Sequence, residues 1–401
     1  MILVLGAGII GCTTAHALAR RGHAVTLVDR HPGPALGASC ANGAQLSYAY
    51  VDALASPKLL AQLPRLIAGA DPLFKVHLSA RPDFLRWGTE FVAAAASQQA
   101  ATLATLKLAL ESQAAMAALL DRHDIAFDYA VAGKMHLYFS DAALDAARAS
   151  VALKQAHGVN QAILTPAEAI AIEPMLAHIQ GLAGVVHSPD DAVGDPHLFA
   201  RELVALASRE HGLATRFDTE VASIEIGAQH ATATTTSGEQ LIADTIIVTA
   251  GPQAAALLKP AGERAPILPM KGYSITAAPG NNPPRTSLTD TSRKIVIAPL
   301  GNRIRIAGIA EIGEASTAID PASIDTLVAA AREAFPGAAN YDAIDHRWAG
   351  LRPMTPNSVP IIARPHPRLA LNIGHGMLGW TLAMGSAERT AALFQDDLPR
   401  A

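Results

Sequence analysis

Charge is scarce in this chain. Only 16% of the 401 residues are Asp, Glu, Lys or Arg, half are apolar, and the formal net charge is −4. There is no basic excess, so a nucleic-acid partner is not expected. Cysteine is scarcer still, with Cys12 and Cys40 alone. Two thiols make neither a disulfide framework nor a CxxC metal site, and buried reduced thiols are expected. An apolar run long enough to span a bilayer without charge or turn residues is lacking. The run at residues 1–5 has no basic segment before it and no cleavage site, so it reads as a strand and not a signal peptide. These features fit a cytoplasmic location. The apolar balance leaves room for a peripheral contact with the inner face of the cytoplasmic membrane or with a partner subunit. There is no fixed-period repeat, no G-x-S-x-G elbow and no Walker sequence, which removes the solenoid, hydrolase and NTPase readings. His187, Asp190, Asp191, Asp195 and His197 share one loop without metal-ligand spacing, so no metal is expected.

What is present begins at the first residue. Residues 1–5 read as a strand, 9–21 as a helix and 24–28 as a second strand, a complete β-turn-α-β unit. A polar, glycine-containing loop spans 33–57, and 58–124 is largely helical, with one uninterrupted alanine-rich helix over 92–120. Strands are expected within 125–140, 215–226, 232–236, 243–250, 266–277, 294–310 and 369–373. Helices are expected at 141–157, 166–173, 198–211, 324–334 and 380–395. A length of 401 residues fits one large or two intertwined domains.

Gly6-Ala7-Gly8-Ile9-Ile10-Gly11 matches G-x-G-x-x-G. It follows a strand and opens a helix, the context in which that pattern binds a dinucleotide. Gly6 permits the tight turn, Gly8 the approach of a pyrophosphate, and Gly11 the close packing of helix on strand. The helix start offers free N–H groups and a positive dipole end. Asp29, ending the second strand, is placed to bind a ribose. Arg30 beside it is compatible with NADP, so these residues alone do not choose between nicotinamide and flavin. The chain then leaves the simple βαβ pattern for the 37–45 loop, and a second glycine-rich turn from strand to helix lies near its far end.

In sum these motifs resemble the D-amino-acid oxidase/dehydrogenase superfamily, and within it the bacterial D-amino-acid dehydrogenase catalytic subunits. The resemblance covers nearly the whole chain. Besides the fingerprint it rests on Ala38-Ser39-Cys40-Ala41-Asn42-Gly43-Ala44-Gln45, Gly194-Asp195-Pro196, Pro269-Met270-Lys271-Gly272-Tyr273-Ser274, the segment Trp348-Ala349-Gly350-Leu351-Arg352-Pro353-Met354-Thr355-Pro356, and Asn372-Ile373-Gly374-His375-Gly376-Met377-Leu378-Gly379-Trp380-Thr381. It implies an α/β fold: a glutathione-reductase-type Rossmann FAD domain with an interleaved antiparallel β-sheet substrate domain. The FAD domain would comprise 1–45, 140–225, 240–265 and 345–401, and the substrate domain 46–139 and 266–344.

The resemblance also assigns residues. Gly6, Gly8, Ile9, Ile10 and Gly11 would hold the FAD pyrophosphate, and Asp29 with Arg30 the adenosine ribose. The family more often has Glu where Asp29 stands. Ala38, Ser39, Gly43, Ala44 and Gln45 would line pyrophosphate, ribityl and flavin, Val221 the adenine, and Ala250 and Gly251 would cover the cofactor. Gly374, His375, Gly376, Met377, Leu378, Gly379, Trp380 and Thr381 would wrap the pyrimidine side of the flavin. No cysteine lies in the C-terminal half, so FAD is expected to be non-covalent. Arg352 would anchor the substrate carboxylate, since a planar guanidinium suits that group. Tyr48, Tyr50 and Tyr273 are candidate substrate-contacting phenols, and His375 a candidate for tuning the flavin or relaying a proton. The activity implied is hydride transfer from Cα of a D-amino acid to flavin N5. It gives a 2-oxo acid and ammonia, with electrons passed to a quinone or other acceptor. Two other readings stay open: a glycine, sarcosine, D-proline or D-hydroxyproline oxidase or dehydrogenase of the same fold, and a non-catalytic flavoprotein subunit.

Overall fold

A computed structural model of the protein describes residues 1–395. The central strands of its parallel sheet, Ile2–Leu5, Val25–Val28, Thr245–Val248 and Leu369–Ile373, follow from apolar runs that need burial on two faces. Strands Ile2–Leu5, Val25–Val28, Ala214–Arg216, Thr245–Val248 and Leu369–Ile373 pair in parallel, and Ile361–His366 closes one edge antiparallel. Along these strands side chains alternate between two covers. Ile2, Val4, Leu27 and Ile247 meet a helical layer. Leu3, Leu5, Val28, Ile246 and Val248 meet a three-stranded antiparallel sheet formed by Val221–Ile226, Ala231–Thr235 and Gln240–Ala243. A parallel sheet covered on both faces is read in sequence as continuous apolar runs, as found here. The helical layer holds Ile9–Ala19, Pro196–His211 and Gly379–Ala392, with Gln98–Leu120 packed outside the last of these.

The largest sheet has nine strands. The long strand Leu268–Pro279 lies between Ala339–Met354 and Arg303–Ile312, and the sheet continues through Ile295–Leu300, Ser287–Asp290, Lys134–Tyr138, Gly184–Ser188 and Ala162–Leu164. Phe74–Val76 adds to the end of Arg303–Ile312. Tyr273, Ile275 and Ala277 face a core closed by the helix Pro321–Ala334. The alternate residues Ser274 and Thr276 face the other way, toward the 38–45 loop: Ser274 donates to the carbonyl of Ala41, and Thr276 accepts from Arg305, which itself donates to the carbonyl of Asn42. The two sheets are thus joined across that loop.

Several elements differ from expectation. The alanine-rich 92–120 stretch is not one helix. Pro82–Ala94 and Gln98–Leu120 are separated by a tight turn at Ala95–Ser97, where the Ser97 hydroxyl donates back to the carbonyl of Ala94 and competes with the helical pattern. By length and composition alone the 82–120 segment is apolar enough to cross a membrane, but it carries Asp83, Arg86, Glu90, Lys107 and Glu111 and is broken at Ala95–Ser97. Ala339–Met354 was not foreseen as a strand, because its first ten residues are mostly exposed and show no apolar alternation. Cys12 is buried as expected, but Cys40 is only half-buried in the loop between the sheets. The 140–225 piece is divided between the two sheets: Ala162–Leu164 and Gly184–Ser188 join the nine-stranded one, Ala214–Arg216 the parallel one. Residues 396–401 of the expected 345–401 piece lie outside the described residues.

The Gly194-Asp195-Pro196 motif is a structural junction. Asp195 caps the helix Pro196–His211 by accepting from His197 and Leu198 N–H, and it lies 3.5 Å from Arg305. The Gly194 carbonyl accepts from the Trp380 indole, and a Cβ on Gly194 would stand 2.7 Å from the ring of Phe127. Gly385 sets the spacing of the two outer helices, since a Cβ there would lie 2.7 Å from the Leu108 carbonyl oxygen and 2.8 Å from the Ser112 nitrogen. Gly385→Val should therefore destabilise the protein by about 1–3 kcal/mol through overpacking. Urea unfolding measures this, and an unchanged midpoint would contradict the packing described.

Candidate active site

One cavity of about 800 Å³ runs between the sheets, from Asp29 at one end to Arg352 at the other. Its nucleotide end is built on the first turn. Gly6 has φ +104°, and a Cβ on Gly11 would lie 1.7 Å from the Gly6 carbonyl oxygen, so only glycine lets the helix start this close to the strand. A Cβ on Gly8 would meet nothing nearer than the Ser39 hydroxyl at 3.8 Å, which leaves that backbone open to the cavity. The helix Ile9–Ala19 has no side-chain cap of its own. Ser39 Oγ, from the neighbouring loop, accepts from Ile9 N–H at 3.1 Å, and the Asp29 carboxylate accepts from Ala7 N–H at 2.6 Å. Other N–H groups of that first turn have no helical partner, as an anion site requires.

The middle of the cavity is the 38–47 loop. Ala44 holds φ +58°, rare for a residue with a side chain, and is fully buried. Lys134 reaches this loop from the large sheet, donating to Gln45 Oε1 at 2.9 Å and to Ser47 Oγ at 2.6 Å. Burial pushes the Lys134 ammonium down, opposed by the Asp191 carboxylate, while burial pushes Asp191 up. The last helix begins here, again without a side-chain cap, and Thr381 Oγ1 accepts from Ser47 N–H at 3.0 Å. Gly374 and Gly376, at φ +80° and +54°, turn the chain from the last parallel strand into that helix.

At the far end Arg352 borders the cavity. Its Nη1 donates to the carbonyl of Ile309 at 3.2 Å, and it has no carboxylate at ion-pair distance among the described residues. Burial lowers its pKa to about 10, so it stays a cation at neutral pH. His375 is 3% exposed, burial lowers its pKa to about 3, and its Nε2 has no hydrogen-bond partner. The ring is therefore neutral at ordinary pH.

Of the expected site residues, Gly6, Gly8, Ile9, Ile10, Asp29, Arg30, Ala38, Ser39, Gly43, Ala44, Gln45, Tyr50, Val221, Ala250, Gly251, Tyr273, Arg352 and the 374–381 turn all border this one cavity. Gly11 does not border it and acts by packing. Tyr48 is a correction: it is 3% exposed and belongs to the core beside the helical layer. Tyr273 is another. Its ring is 1% exposed and sits in the core beneath the large sheet, with Lys271 Nζ 5.1 Å from the ring centroid, although the residue touches the cavity wall. Trp380 likewise borders the cavity but buries its indole against Phe199. Tyr50 alone of the three tyrosines keeps a large exposed surface, 37%, stacked on His136 at 3.8 Å. Lys134, Ser47 and Arg305 were missed. A lysine inside the apolar strand Lys134–Tyr138 was the one available signal.

The residues present fit FAD. Two helix starts whose own N-cap residues give no side-chain cap, glycines whose Cβ would close the turn, and a buried imidazole nitrogen without a partner all face the same cavity. Residues 1–393 match the family described as FAD dependent oxidoreductase. The chain is 39% identical over 414 residues to D-amino acid dehydrogenase 2 of Ralstonia nicotianae, covering 99% of this chain and 97% of that one. It is 37% identical over 399 residues to D-amino acid dehydrogenase of Paramagnetospirillum magneticum, covering 98% and 94%. Among solved structures, glycine oxidase from Bacillus cereus superposes with a TM-score of 0.75 at 20% identity, covering 99% and 95%. L-proline dehydrogenase from P. horikoshii does so with 0.73 at 18%, covering 100% and 94%. Both likenesses carry the fold alone.

Two outcomes are expected. Gly11→Val should lower FAD affinity at least about tenfold, roughly 1.4 kcal/mol, and harm cofactor binding more than folding. Flavin absorbance of the purified variant reads this, and full flavin content would refute the role of the turn. Acid precipitation should release the yellow colour into the supernatant, whereas flavin held in the pellet would mean covalent attachment.

Proposed function

The chain belongs to the family of FAD-dependent oxidoreductases, and we propose on that premise that it is a dehydrogenase of D-amino acids. The observation that carries this reading is Arg352, a half-buried guanidinium with no carboxylate at ion-pair distance among the described residues, at the far end of the cavity that begins with the dinucleotide turn. A buried cation left unpaired is costly, and an amino acid's carboxylate is the partner whose shape matches its fork. A non-catalytic flavoprotein subunit has no use for such a group. The relatives named D-amino acid dehydrogenase support the substrate class.

Bound FAD supplies the acceptor for the two electrons and hydrogen leaving Cα. The chain's own residues orient the substrate. Arg352 fixes the carboxylate, and with it the direction of the Cα–H bond. Leu54, Leu73, Phe74, Met270 and Met354 border the same end and exclude water from it. His375, being neutral, adds no second cation beside Arg352. Loss of a hydride from Cα and a proton from nitrogen leaves an imino acid, which water converts to a 2-oxo acid and ammonia. We assign the electrons to a quinone or other acceptor. Ile67, Leu78, Leu85 and Val92 are 45%, 66%, 55% and 52% exposed and offer apolar surface for a peripheral contact with the inner face of the cytoplasmic membrane.

A panel of D- and L-amino acids, glycine, sarcosine and proline with an artificial electron acceptor tests the proposal, with oxygen uptake followed in parallel. D-amino acids should be oxidised fastest and oxygen uptake should lag. A faster L-alanine, L-proline, glycine or sarcosine would overturn it. In the same assay Arg352→Ala should lower kcat/KM by roughly 30-fold or more, since truncating one partner of a buried charged pair costs about 2–5 kcal/mol. Arg352→Lys should also be impaired, because it keeps the charge and loses the fork. Flavin content should stay normal in both.

A further inference from the structure

The side chain of Arg352 does not rise from its own strand into open space. It crosses the neighbouring strand. Arg352 pairs with Met270, and Gly350 with Gly272, across the seam between Ala339–Met354 and Leu268–Pro279. A Cβ built on Gly272 would stand 2.1 Å from Arg352 Nη2, 2.4 Å from Cζ and 2.8 Å from Nη1. The guanidinium therefore lies directly over the Gly272 backbone, in space that any side chain at 272 would fill.

On the far side of Gly272 the ladder is irregular. Lys271 pairs with Glu311 and Tyr273 with Gly308, so two residues, Ile309 and Ala310, stand opposite Gly272 alone. That is a bulge, a device that re-aims groups of one strand. Ile309 holds φ +59°, a conformation that β-branched residues rarely adopt. Its carbonyl accepts the hydrogen bond from Arg352 Nη1 at 3.2 Å, while Ala310 N–H turns to the carbonyl of Leu73. Among the described residues no side chain gives the guanidinium a further hydrogen bond or ion pair. Five N–H bonds on a guanidinium need acceptors, and among the described residues this one carbonyl meets it.

We propose that Gly272 and the bulge at Ile309 form a two-part seat for Arg352. The gap over Gly272 lets the guanidinium lie flat across the sheet, and the Ile309 carbonyl docks one of its nitrogens. Both are positioning residues. They act through Arg352, whose remaining N–H groups are held toward the cavity for a carboxylate. The inference rests on the reading of Arg352 as the carboxylate anchor.

A double-mutant cycle separates the seat from the anchor. The probe is benzoate, a carboxylate with no Cα–H to lose, titrated into the FAD-loaded protein and followed by the change in flavin absorbance. Flavin stoichiometry and the thermal midpoint are measured alongside. Arg352→Ala should abolish benzoate binding. Gly272→Ala should weaken it at least about tenfold with flavin stoichiometry unchanged. In the Arg352→Ala background, Gly272→Ala should change the thermal midpoint and flavin content far less than it does in the wild type, because no guanidinium remains to be displaced. In the Arg352→Lys background it should alter whatever benzoate affinity remains by less than about twofold, because a lysine head needs no flat surface. If Gly272→Ala alone fails to retain FAD, recovery of FAD in Gly272→Ala/Arg352→Ala is the same signature, and failure of both overturns the seat. Benzoate binding that survives Arg352→Ala overturns the anchor itself. Loss of benzoate binding in Arg352→Ala together with wild-type affinity in Gly272→Ala leaves the anchor standing and overturns the seat.

Discussion

Residues 39–47 join the parallel sheet and its helices to the nine-stranded sheet, and most of the site depends on that seam. The segment answers to both sides at once. Ser39 satisfies the first helix, Ala41 and Asn42 offer their carbonyls to the large sheet, Gln45 and Ser47 take the ammonium of Lys134, and Ser47 N–H reaches the last helix through Thr381. Four of these six bonds are buried and two are partly buried. A net gain of about 0.5–1.5 kcal/mol per bond is modest, but leaving any one donor or acceptor unmet in such a place costs more. The seam therefore has one arrangement. The cavity it lines inherits that rigidity, and so does the distance between the dinucleotide turn and Arg352.

Two anions must leave water to enter this cavity, a pyrophosphate at one end and a carboxylate at the other. The protein answers them by different means. The pyrophosphate end uses mainly backbone, a helix start without a cap of its own and a glycine turn that lets a ligand approach it. The carboxylate end uses a single guanidinium seated across a strand. Unusual backbone collects at both ends. Gly6, Ala44, Ile309, Gly374 and Gly376 all have positive φ and all border the cavity. Strain of this kind persists where surrounding packing over-determines it, which is common at sites of function.

What could be read in the sequence was the chemistry that depends on backbone. The turn at Gly6 to Gly11 was legible because three glycines at fixed spacing leave few alternatives, and the parallel strands were legible because burial on two faces writes continuous apolar runs. What could not be read was facing. Tyr48 and Tyr273 are phenols in suggestive segments, yet a phenol carries no mark of which side of its strand or loop it will occupy, and both rings went to the core. Tyr50, two residues after Tyr48, faces the cavity. The strand Ala339–Met354 was hidden because residues 343–347 are largely in water on both faces, which leaves no apolar alternation to detect. Gly272 stood in a motif, but its purpose depends on a side chain eighty residues later and is visible only once the two strands are paired.

The central claim is that both ends of the cavity serve one reaction. Anaerobic mixing of the yellow protein with D-alanine, without any acceptor, tests it most directly. The account predicts full bleaching of the flavin, with one 2-oxo acid and one ammonia formed per flavin. A flavin that stays oxidised with D-alanine and with every other D-amino acid tried would contradict it.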